Sequence, residues 1–165
     1  MAQTKKLFGK YRGTVVNTID PEGLGRIQAL VPDVSPRPLG WALPCAPVAG
    51  NQMGIRAVPA IAANVWIEFE RGDPDFPIWS GGFWTSAGEM PGGAGPAGTI
   101  IRLQTASGNA LTIADTPDGG IVLRSTTGAT IAVNDTGIVI QNGQGASIVL
   151  AGPTVTINQG ALAIT

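Results

Sequence analysis

The sequence predicts an all-β protein in two parts: an N-terminal OB-fold, a five-stranded Greek-key barrel, over residues 1–85, and a β-repeat segment over residues 99–165. Three observations predict it. No stretch of useful length places apolar residues at helical spacing. Turn formers recur at short intervals between apolar, β-branched runs. The composition also changes abruptly. All four Trp and all four Phe precede Gly98, and residues 1–98 hold eight bases and eight acids, whereas residues 99–165 hold only Arg102 and Arg124 against Asp115, Asp118 and Asp135. The joint is residues 86–98, a Gly/Ala/Pro linker from Ser86 to Gly98 that can neither pack nor sustain a helix.

The first part reads as five strands in order. Tyr11 to Ile19 is a β-branched strand closed by the turn signal Asp20-Pro21-Glu22-Gly23. The return strand runs from Gly25 to Val31 with Ile27, Ala29 and Val31 on one face. Trp41 to Pro44 is a third, short strand, and its proline suggests an edge. A loop around Gly50 and Gly54 leads to Asn64–Glu70, in which Val65, Ile67 and Phe69 alternate with Trp66, Glu68 and Glu70. After Asp73-Pro74-Asp75, the strand Pro77 to Trp84 carries Gly81-Gly82, which permits the sharp bend a small closed barrel needs.

The second part repeats one pattern, an apolar residue, any residue, an apolar residue, then a turn. The pairs are Ile101/Leu103, Leu111/Ile113, Ile121/Leu123, Ile131/Val133, Ile138/Ile140, Ile148/Leu150, Val155/Ile157 and Leu162/Ile164, spaced 10, 10, 10, 7, 10, 7 and 7 residues apart. Eight short strands with one apolar face follow from this. Two inward residues per strand bury too little to offset ordering the backbone, and no second layer is in reach. Other copies of the same ribbon are the expected cover.

Composition excludes several functions. Net charge is −1, which gives no electrostatic reason to expect nucleic acid or an anionic membrane surface. Histidine is absent and Cys45 is the single cysteine, so neither a histidine metal site nor an intrachain disulfide is available. Cys45, flanked by Leu43, Pro44, Ala46 and Pro47, is expected to be a small buried hydrophobe. Trp66, Trp79 and Trp84 are expected in the core or in subunit contacts, since acids balance bases here. Glu68, Glu70, Asp73 and Asp75 lack the spacing of a calcium loop. No nucleophile has a base beside it, so the chain is not expected to be an enzyme and no cofactor is expected. Lys5-Lys6 is followed by no apolar run, so neither a signal peptide nor an anchor is expected.

The residues Lys10 to Val16, then Asp20-Pro21-Glu22-Gly23-Leu24-Gly25-Arg26 to Pro32, then Trp41-Ala42-Leu43-Pro44, and finally Asn64 to Gly81 with its Gly72-Asp73-Pro74 turn, resemble a known family. It is the central spike proteins of contractile injection machines, meaning the phage baseplate assembly protein V family and the related type VI secretion spikes. The resemblance implies an OB-fold platform beneath a baseplate hub and a triple-stranded β-helix formed by three chains. In that homotrimer the sixteen paired residues would face the threefold axis, each chain's ladder would continue onto its neighbours, and the outer face, with Arg102, Gln104, Arg124 and Thr130, would be polar. Eight layers about 4.8 Å apart give a shaft of roughly 40 Å. The implied role is mechanical: transmission of force from the hub to a tip that transiently meets the target membrane, in a virion baseplate or an extracellular injection particle.

The chain departs from the family where short spikes carry an iron-binding His-x-His apex, since it has no histidine. A separate tip protein of the PAAR type is therefore expected to dock on Leu162, Ala163, Ile164 and Thr165. Lys5, Lys6 and the loop from Ala46 to Ala57 are candidates for the hub-facing surface. Two other readings share the β-stripe. A trimeric tail fibre or adhesin would need a recognition head with exposed aromatics, and here the aromatics lie at the other end. A β-solenoid carbohydrate-active enzyme would need longer rungs than the 7 to 10 residues available.

Overall fold

The computed structural model describes residues 6–92, 100–116 and 119–164. It forms two compact units, Met1–Ala87 and Gly88–Thr165. Thr99, Pro117, Asp118, Thr165 and most of the expected linker lie outside the described residues.

The first unit holds β1 (Tyr11–Asn17), β2 (Gln28–Leu30), β3 (Leu43–Pro44), β4 (Ala49–Gly50), β5 (Met53–Gly54), β6 (Asn64–Phe69) and β7 (Pro77–Gly82). Five of them form one sheet in the order β2-β1-β6-β7-β3. Neighbours are antiparallel except β3, which runs parallel to β7. Just before β2 and β3, the Ile27 and Ala42 amides donate to each other's carbonyls at 3.2 and 2.8 Å. That bridge joins the two edges and closes an OB-type barrel. The alternation predicted for these strands places Val15, Ile27, Val31, Val65, Ile67 and Phe69 in the closed interior. The bend is where Gly81-Gly82 suggested it. Register shifts between Val65 and Ile67 opposite Gly82 and Trp79, and Gly81 takes φ +118.

Three local expectations are corrected. Cys45 is exposed, because it falls on the same face as exposed Leu43 while buried Ala42 falls on the other, although its amide still donates to the Trp79 carbonyl at 2.9 Å. The segment read as a loop around Gly50 and Gly54 folds into the two-stranded hairpin β4–β5, with Ala49 opposite Gly54 and Gly50 opposite Met53. Trp84, expected in the core or in subunit contacts, follows the last strand and is exposed within the single chain, so the core half of that expectation is the part corrected.

The second unit holds β8 (Ile100–Gln104), β9 (Ala110–Ala114), β10 (Gly120–Arg124), β11 (Thr130–Asn134), β12 (Gly137–Gln141), β13 (Ser147–Ala151), β14 (Thr154–Ile157) and β15 (Leu162–Ile164). They form one antiparallel meander in sequence order. Tight turns between strands require glycine most strictly at Gly120 and Gly137. A Cβ on Gly120 would stand 2.1 Å from the Val133 carbonyl oxygen, and one on Gly137 2.0 Å from that of Leu150. Longer turns on the other rim are tied across strands. The Asn109 side-chain oxygen accepts from the Thr126 amide at 3.1 Å, and that of Asn158 from the Ser147 amide at 3.0 Å.

The meander corrects the picture of ladders running from chain to chain. Strands β9 to β14 are paired on both edges within their own chain, so among the described residues β8 and β15 alone keep a free edge. Among the described residues no helix is long and apolar enough to cross a membrane.

Candidate functional site

The register turns the eight sequence pairs into two unbroken ladders on one face of the sheet. One runs Leu103, Leu111, Leu123, Ile131, Ile140, Ile148, Ile157, Leu162, each directly opposite the next. The other runs Ile101, Ile113, Ile121, Val133, Ile138, Leu150, Val155, Ile164. Every cross-strand neighbour in both ladders is Leu, Ile or Val. Within a single chain most of the described ones stay exposed: Ile101 and Leu103 are 65% and 66% exposed, and Ile140 and Ile148 are 41% and 39% exposed. An apolar strip this long left exposed marks an interaction face.

The opposite face carries a central ladder of Arg102, Thr112, Val122, Ala132, Val139, Val149, Thr156 and Ala163. Arg102, Gln104, Arg124 and Thr130 lie on this face, as expected of a polar exterior. Its middle, however, is built from small and β-branched apolar residues, since a strand of five residues with two committed inward positions has one central outward position to fill.

At the far end, β15 pairs with β14 on one edge, and its other edge has no partner among the described residues. Leu162 is exposed. Leu162, Ala163 and Ile164 thus lie on a free strand edge, and Thr165 lies outside the described residues.

On the first unit, the candidates for a hub-facing surface are Lys5, Lys6 and the segment from Ala46 to Ala57. Lys5 lies outside the described residues, and Lys6 reaches Asp73 at 3.8 Å. The segment from Ala46 to Ala57 forms one wall of an apolar groove of about 590 Å³, with Leu24, Pro44, Cys45, Val58 and Trp79 opposite or beneath. Met53 and Ile55 project from the hairpin, 64% and 59% exposed. A two-stranded hairpin of this size is marginal without support.

The groove's other wall is set by a clasp that sequence reading passed over. The Asp20 carboxylate accepts from the Glu22, Leu24 and Arg26 amides at 3.1, 2.7 and 3.2 Å, and from Arg26 Nε and Nη2 at 2.9 and 2.7 Å. Arg26 also meets Glu22 at 3.0 Å and stacks over Trp41. The Arg26 guanidinium, together with those amides, holds the Asp20 carboxyl well below the usual carboxylate range. The signal was present as an aspartate opening a turn with an arginine six residues on. Nearby, Trp79 Nε1 donates to the Gly25 carbonyl at 3.2 Å. Across the barrel, Lys10 pairs with Glu68 and donates to Ser80 Oγ at 2.8 Å. The Lys10 contact lowers the Glu68 pKa. Among the described residues no group of three or more His, Cys, Asp or Glu could hold a metal ion.

Two family profiles match the chain. Residues 11–84 match the type VI secretion system/phage-baseplate injector OB domain, and residues 100–163 match the phage baseplate V C-terminal trimerisation domain. No curated protein matches it. The first match covers the closed barrel from β1 to just past β7, and the second covers the meander from its first strand to its last. With both parts present and in this order, the chain belongs to the phage baseplate V family of baseplate spike proteins.

Proposed function

We propose that this protein is the structural central spike of a contractile tail or injection system, a homotrimer whose two apolar ladders face the threefold axis. The observation that carries this is the register. All sixteen stripe residues share one face without a polar interruption, and the segment that bears them matches a trimerisation domain. Turned inward in three copies, the stripe gains a core that no single sheet supplies. The barrel is then the platform that meets the baseplate hub, and the shaft transmits force toward the target membrane. A shaft whose inner strands satisfy both edges within one chain resists shear, because sliding copies past one another breaks no ladder inside them. At the end, three free β15 edges present unpaired backbone groups, which suits a docking PAAR-like tip protein. The role is mechanical and asks for no catalytic residue or cofactor. The family context points to a virion baseplate or an injection particle as its location.

The test is the mass of the intact protein by light scattering. Wild type should give three times the 16.8 kDa chain. Ile131→Asp with Ile148→Asp places charges on the axis, where they lack partners, and should abolish the trimer. An unaltered trimer would mean that the stripe does not face inward.

A further inference from the structure

Opposite the apolar stripe, β8 and β10 each carry one arginine, Arg102 and Arg124. They are the only cations of the sequence after Arg71. Arg102 lies opposite Thr112, and Thr112 opposite Val122. Arg124 lies opposite Ala110, and Ala110 opposite Gln104. The two arginines therefore rise from one three-strand patch. Both line a cavity of about 480 Å³ together with Gln104, Ser107, Ser125 and Thr126. Both also line a smaller one of about 230 Å³ against Ala110, Thr112 and Val122. No acid lines either cavity. Among the described residues no carboxylate pairs with either arginine.

The Nε of Arg102 is shielded from solvent and has no hydrogen-bond acceptor. A charged donor removed from water without an acceptor is unfavourable, so such a group calls for a ligand. The chemistry around it narrows the class. Two guanidinium forks offer matching pairs of N–H donors and two positive charges, and the hydroxyls and amide beside them offer more donors. A single carboxylate carries one charge and satisfies one fork. A phosphoryl group presents several oxygens in a tetrahedron and close to two negative charges, which engages both.

We propose that Arg102 and Arg124 form a phosphoryl-binding site on the face opposite the stripe, taking either free phosphate or the phosphate of a lipid headgroup. The proposal stands independently of which way the stripe faces. It is tested by calorimetric titration of the intact protein with sodium phosphate against sodium chloride at matched ionic strength. One saturable phosphate per chain is expected. Arg124→Gln, at an exposed position, and Arg102→Gln should each weaken it by at least about tenfold while the oligomer's mass is unaltered.

A second arm distinguishes the sources, using co-sedimentation with phosphatidylcholine vesicles with and without phosphatidic acid. Sedimentation that needs both phosphatidic acid and the arginines identifies a headgroup. Phosphate heat without sedimentation identifies the free ion. The absence of saturable heat together with arginine-independent sedimentation overturns the proposal, as does undiminished phosphate binding by Arg124→Gln.

Discussion

The two units are built from the same material and stabilised in opposite ways. In the barrel, five strands and one bridge close on themselves, and Val15, Ile27, Val31, Val65 and Ile67 are at most 1% exposed. In the meander, eight short but more regular strands bury no described side chain fully. Regular hydrogen bonding therefore does not distinguish a self-sufficient fold from a dependent one. Closure does: a sheet that curls until its edges meet covers its own apolar face, while one that stays open must borrow a cover. The barrel has irregular strands, two register shifts and a strand of two residues, and it still makes a core.

The largest expected effect breaks this contrast from the meander's side, where the Ile131/Ile148 double aspartate variant should lose the trimer and leave the barrel folded. The barrel supplies the next. Ile67→Ala empties a fully buried position and should destabilise the first unit by about 2 to 5 kcal/mol, read as an early thermal transition, while the trimer persists. A simultaneous loss of both units would show that the two are one cooperative fold. Gly137→Ala comes third. Its φ of +142 and the 2.0 Å approach to the Leu150 carbonyl oxygen should cost each chain more than about 1 kcal/mol, seen as faster amide exchange in β12 and β13. A variant with unaltered exchange would show that the turn relaxes freely.

The smallest effect sharpens the comparison by pH. Asp20 has its carboxyl held below the ordinary range by Arg26, so its contribution is present in full above about pH 4 and is lost as pH falls toward the lowered value. Among the described residues the meander has no matching carboxylate paired with Arg102 or Arg124. Thermal melts from pH 2 to pH 7 should show the barrel losing stability in acid. Asp20→Asn should lower its melting point at neutral pH and flatten that acid limb.

The stripe was readable because alternation in a strand has a period of two, and pairs such as Ile121/Leu123 and Ile131/Val133 repeat it without a polar interruption. The barrel strands were readable for the same reason at Val65, Ile67 and Phe69. Contacts between distant segments were not. The bridge from Ile27 to Ala42 that closes the barrel depends on strand order, which local pattern does not encode. The exposure of Cys45 depends on which face of its strand it falls on, and apolar neighbours in sequence are not neighbours in space. The hairpin β4–β5 carries Gly at two of its four strand positions, so it offers almost no periodic signal. The ladder's closure within each chain was missed because the apolar face says what must be covered, and the turns say which strands pair.

The most direct test of the account uses two adjacent residues of β12. Ile140 belongs to the stripe and Val139 to the opposite central ladder. Light scattering on Ile140→Asp and Val139→Asp, made in otherwise identical protein, compares the two faces at one position along the shaft. The account predicts that Ile140→Asp loses the trimer and Val139→Asp keeps it. A trimer that survives Ile140→Asp and is lost in Val139→Asp would contradict it.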